Sequence, residues 1–189
     1  MTTFNRADLA IRGYDPKAHF PPRWRGTLID ICDNEACPVD TRLALVLALL
    51  PDKQRVTASL YLVRNTPLSD GSGRAVADLI TDDRLIAAMN VYERYAAGEE
   101  TFRNVYLTEK DAFQIAADLD QVAAPFNLYR AALAAARAGT AGFLAVKAAA
   151  EAAMDTTLGI SKLPTAEYKT QLAMLRDLLT KELAIGRRS

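Results

Sequence analysis

From Ile115 onward, apolar side chains recur at Leu119, Val122, Phe126, Tyr129, Leu133 and Ala136, in steps of 4, 3, 4, 3, 4 and 3. That spacing is the a/d stripe of an α-helix sustained over three heptads, and it commits the middle of the chain to helix. Thr108 with Asp111 resembles a capping box at its start, and Gly139 marks its end. Pro125 falls inside the stripe. A proline there removes one backbone bond and crowds the carbonyl of Gln121, so the helix must kink or split. The apolar phase survives the proline, which points to a kink. An unbroken helix from Glu109 to Ala138 spans about 45 Å at 1.5 Å per residue. Whether the seam pairs within the chain or between chains is open at this level.

The rest of the chain reads as helix to either side. Alanine, 34 of 189 residues, concentrates between Ala112 and Ala153 and favours helices in close approach. Thr140 begins a further Ala-rich helix with Phe143, Val146, Ala150 and Met154 inward, ending before Gly159. A last helix runs from Thr165 to Ile185 with Tyr168, Leu172, Leu175 and Leu179 inward, closed by Gly186, Arg187 and Arg188. Upstream, Asp40 reads as the N-cap of a helix to Leu50 that is apolar all round. Thr81 reads as the N-cap of another, with Asp82 and Asp83 in its first turn, Leu85, Met89, Tyr92 and Ala96 inward and Gly98 as its stop. Gln54 to Arg64 fits both a half-buried strand and a helix, and its place directly after Pro51-Asp52 favours helix. Thr66 to Gly73 is a loop.

Residues 1–38 are the least regular. Asn5 caps a short helical segment stopped by Gly13, and Asp15-Pro16, Pro21-Pro22 and Gly26 interrupt every periodicity beyond it. Thr27 to Cys32 is a short strand or one helical turn. The expected fold is all-α: one domain, with a helical bundle over residues 39–189 and an irregular N-terminal arm over 1–38 packed on it. An α+β arrangement with short strands near Leu28, Leu60 and Val105 is the alternative.

Charge and cysteine usage narrow the functional classes. The 23 basic and 23 acidic residues cancel, so no global field draws the chain to nucleic acid or to an anionic membrane. The longest apolar run, Leu43 to Leu50, is far too short to span a bilayer. The charged N-terminus has no apolar h-region, and the two cysteines need form no disulfide. These features place the chain in the cytoplasm, without a membrane partner.

Five features of the chain bear on chemistry. Cys32 and Cys37 sit among Asp30, Asp33 and Glu35, but a structural zinc site needs about four ligands and His19 is the only histidine. No metal and no cofactor are therefore expected. His19 has no accompanying nucleophile motif, so no catalytic residue is assigned. Ser69 to Arg74 has the glycines of an anion loop without the lysine or spacing of a P-loop. The carboxylates of the helices read as caps and solvated faces. The fifth segment, Phe20-Pro-Pro-Arg23-Trp24-Arg25, combines aromatic residues with arginines, the composition of protein hot spots and of single-strand stacking sites. Phe20, Arg23, Trp24 and Arg25 are the candidate partner-binding residues. The function expected is a non-enzymatic protein-binding or assembly module, contacting another protein or copies of itself. An adaptor, structural component or inhibitor of a bacterial phage or mobile element fits that description. A nucleic-acid-binding module using Arg23, Arg25, Arg187 and Arg188 is the alternative, and an enzyme with a pocket among the helices is a second.

Overall fold

The computed structural model describes residues 2–11, 14–154 and 163–186, with side chains up to residue 181. Gly13, Gly159, Arg187 and Arg188 lie outside the described residues. The protein is 68% helical, about twice the average for globular chains, and has eight helices among the described residues. They are α1 (Leu28–Cys32), α2 (Val39–Leu49), α3 (Asp52–Asn65), α4 (Asp83–Ala97), α5 (Phe102–Gln121), α6 (Phe126–Arg137), α7 (Phe143–Ala153) and α8 (Thr165–Gly186). The only named strands among the described residues, β1 (Phe4–Asn5) and β2 (Arg25–Gly26), form a two-residue antiparallel ribbon in the arm. Leu28, Leu60 and Val105 are all helical, which rules out the α+β alternative. The ambiguous Gln54–Arg64 stretch is helix throughout.

The long seam is not one kinked helix. α5 ends at Gln121, Ala123 adopts the left-handed region at φ +53°, and Pro125 becomes the N-cap of α6. Proline also biases the residue before it away from helical angles, so the break spreads over several residues rather than one lost hydrogen bond. α5 and α6 fold back as a hairpin, with the Arg137 guanidinium 5.1 Å from the Phe113 ring centre across it. Ile115, Leu119, Tyr129 and Leu133 all pack on one core, so the heptad seam is intramolecular. Val122 is left 73% exposed at the turn.

Four helix starts also differ from expectation, and one of them is α7, which begins at Phe143 behind Gly142 rather than at Thr140. α2 begins at Val39 behind Pro38, leaving Asp40 in the first turn. Asp82, not Thr81, caps α4 through the Arg84 amide. The cap of α5 lies seven residues before Thr108, at Thr101, whose hydroxyl accepts from the Asn104 amide at 3.3 Å. The side chains of that first stretch, Phe102, Tyr106 and Leu107, are apolar yet exposed, so they obey no inward periodicity.

Two apolar cores share α3 and α7 as a common wall. One gathers α4, α5 and α6 around the fully buried Tyr92. The other gathers the arm, α1, α2 and α8 around Phe20, Leu47 and Leu175. On α3, Val56, Leu60 and Val63 serve the first core while Ala58 and Leu62 serve the second. On α7, Ala145 and Ala149 serve the first while Val146 and Ala150 serve the second. A helix used on two sides has to be apolar on two sides, and small residues let its neighbours come close. The abundant alanines lie here, with Ala131, Ala132 and Ala134 to Ala136 of α6 buried against α7. Polar ties cross the packing. The Tyr92 hydroxyl donates to the Ala136 carbonyl at 3.1 Å, satisfying one of the acceptors that the end of α6 leaves free. Buried Gln171 of α8 donates to Thr66 at 3.1 Å and to the Val146 carbonyl at 3.0 Å.

Candidate functional site

The arm is held by local capping chemistry. The Asn5 side chain accepts from the Ala7 amide at 2.8 Å while Asp8 accepts from the Asn5 amide at 2.7 Å, closing a 3-10 turn over Arg6–Leu9. Asp15 accepts from the Lys17 amide at 3.0 Å at the head of a second 3-10 turn, Pro16–Ala18, with proline at its first position. Register Asn5↔Arg25 and Phe4↔Gly26 then closes the ribbon.

This architecture divides the four candidate residues. Phe20 is 1% exposed and belongs to the second core. Trp24 is half-buried and stands edge-on to Phe20, with ring centres 4.9 Å apart and planes at 74°. Its ring also lies so close over Gly26 that a Cβ there would sit 2.6 Å from Cζ2. Arg23 and Arg25 are exposed. Together with Arg6 and Lys17 they line a groove of about 680 Å³ whose floor includes Trp24.

The other candidate segments are accounted for locally. The ring of His19 is stacked parallel to Tyr14, whose hydroxyl lies 3.0 Å from Nδ1 and 3.7 Å from the Cys37 sulfur. Both cysteines are free and buried. Burial pushes the Cys32 thiol up to about 12 and raises that of Cys37, which keeps both protonated and poorly nucleophilic near neutral pH. Among the described residues no group of three or more His, Cys, Asp or Glu side chains is placed to hold a metal ion. In the Ser69–Arg74 loop, Arg74 is paired internally with Asp70 at 3.1 Å. Among the described residues no helix is long and apolar enough to cross a membrane.

Two features escaped sequence reading. The first is Glu109, half-buried inside the α5–α6 hairpin and hydrogen-bonded by the Thr140 hydroxyl. Burial pushes its carboxyl up to about 7, against the opposing pull of Arg137. The folded state therefore favours the neutral form. The resulting stabilisation is complete below the ordinary value of about 4.5 and is lost as pH rises through about 7. Glu109→Gln should remove that part of the pH dependence. Melting curves taken from pH 4 to 8 should show the variant gaining on the parent across this window, and a constant difference would contradict the assignment.

The second is the outer face of α5. Phe102, Tyr106 and Phe113 are 50%, 59% and 44% exposed. Spaced at i, i+4 and i+11, they fall within about 40° of arc and form one stripe roughly 16 Å long. Phe102 touches Tyr95 at 5.9 Å between ring centres, and Phe113 carries Arg137 over one face. The stripe is thus rigidly mounted while its outer surface stays open.

Comparison with family models, characterised proteins and solved structures found no match to this chain. Its class is therefore defined by the fold alone, a mainly α-helical protein with a ribbon-tied N-terminal arm.

Proposed function

We propose that this protein is a non-enzymatic assembly module that associates with a second copy of itself through the outer face of α5. The observation that carries this reading is the aromatic stripe of Phe102, Tyr106 and Phe113, three large side chains held in solvent on a well-packed helix. Exposed contiguous aromatic surface on a rigid element is the usual composition of an interface centre. The charges beside it favour a second copy. Arg103 lies at the N-terminal end of α5, and Asp120 at its C-terminal end on the side of the stripe. A two-fold axis across the stripe sets the helices antiparallel and places the basic end of each beside the acidic end of its partner. Those pairs set register, and the aromatic burial supplies most of the affinity. An adaptor, structural component or inhibitor of a phage or mobile element, acting in the cytoplasm, is a context that suits such a module.

Sedimentation equilibrium tests the proposal. The parent chain should dimerise, and Tyr106→Glu should be monomeric at the same concentration with unchanged melting, because the side chain is exposed. A parent chain that stays monomeric, or a dimer indifferent to Tyr106→Glu and Phe102→Ser, defeats it.

A further inference from the structure

The arm carries a second surface, independent of α5. Arg6 follows β1, Lys17 lies in the second 3-10 turn, and Arg23 and Arg25 flank Trp24 at the start of β2, so three separate pieces of chain bring four cations to one groove. Among the described residues none of the four pairs with a carboxylate. Asp15 also lines the groove and offsets one of the four charges, while Asp8 and Asp15 each accept a backbone amide as a turn cap. In a chain of zero net charge this is a local segregation of positive charge. The groove's volume of about 680 Å³ lies in the ordinary range of ligand clefts, about 300–1,000 Å³.

Trp24 decides the class of ligand. Phe20 packs against it in a T-shaped pair and Gly26 lies against its six-membered ring, so the indole is held in place by the body of the protein. Trp24 lines the groove together with its sequence neighbours Arg23 and Arg25. A pre-positioned aromatic platform among several cations suits an unpaired base on a phosphate backbone, which needs a π-face and several dispersed charges at once. An acidic peptide would use the cations and leave the platform idle. A free phosphate would use neither the platform nor the dispersion of charge over three elements. We propose that this groove binds single-stranded nucleic acid, with a base stacked on Trp24 and the backbone neutralised by Arg6, Lys17, Arg23 and Arg25.

Trp24 is the only tryptophan of the chain and therefore reports on its own site. The full chain is titrated with a twelve-residue oligothymidylate at low salt, following indole fluorescence. Saturable quenching is expected, and the affinity should fall with salt at a slope of about −0.7 per phosphate contact in a double-logarithmic plot. Arg23→Ala with Arg25→Ala should weaken binding at least tenfold and flatten the slope by about 1.4, two contacts' worth. Both side chains are exposed, so its melting should match the parent. Inorganic phosphate, polyglutamate and a duplex of equal length are titrated in parallel. The proposal is overturned by absence of quenching, by a double variant that binds like the parent, or by any of those three binding as tightly as the oligothymidylate. None of these outcomes depends on whether α5 pairs.

Discussion

Phe20→Ala should remove about 3–5 kcal/mol of folding stability, the range measured for truncating a fully buried aromatic ring. Its ring is 1% exposed and lies in the core shared by the arm, α1, α2 and α8. Neither the two-residue ribbon nor the short 3-10 turns form many backbone bonds, so the arm is held on the body chiefly by side-chain burial. A loss of that size is a third or more of the stability of many domains. Trp24→Ala should cost less than Phe20→Ala, because part of the indole stays exposed and that part gains nothing from folding. Denaturant unfolding of both variants measures the pair. A Phe20→Ala loss below about 1 kcal/mol would mean that the arm contributes little to the core and that the second cluster closes without it.

Gly139→Ala should cost about 1–3 kcal/mol through overpacking. The residue follows α6 where the hairpin meets α4. An added Cβ would lie 2.7 and 2.8 Å from two carbons of the Tyr92 ring and 2.9 Å from a methyl of Val105. The ring has little freedom to retreat, since Tyr92 is fully buried and its hydroxyl is tied to the Ala136 carbonyl one turn away. Moving the ring would break that bond in a dry site, which adds to the steric cost. The substitution should couple to its neighbour. In a Val105→Ala background, Gly139→Ala should cost clearly less than in the parent, because one of the two obstructing groups has gone. Additive losses in that double variant would show that the crowding is relieved elsewhere.

Much of the fold was legible from local rules. The inward residues of α8, Tyr168, Leu172, Leu175 and Leu179, are all buried, as are Leu85, Met89 and Tyr92 of α4. Asn5 caps the first turn, and the Gln54–Arg64 stretch is the helix its position suggested. These features depend on residues within a few positions of one another, where the 3.6-residue period and capping chemistry operate. The misplaced starts of α2, α4 and α5 differ in kind. α2 begins behind Pro38 with no side-chain cap, and at α4 and α5 the caps Asp82 and Thr101 are residues as suitable by type as Thr81 and Thr108.

The candidate site was legible in composition only. Aromatic residues and arginines between Phe20 and Arg25 mark a special segment, yet their spacing does not say that Phe20 enters the core while Trp24 lines a groove. Arg6 and Lys17 join that groove through ribbon register and turn packing, contacts between residues too far apart in sequence to share a helical face. The aromatic stripe of α5 carried a misleading signal, because apolar side chains are ordinarily read as inward and these three point out. What the sequence determined by itself was helix content, helix periodicity and local caps, all set by interactions within a turn or two. What only the tertiary structure decided was the split at Ala123 and Pro125, the two-sided use of α3 and α7, and which apolar side chains stay in water. Those outcomes depend on which distant surfaces meet, and an apolar residue is buried only if a partner surface is there to cover it.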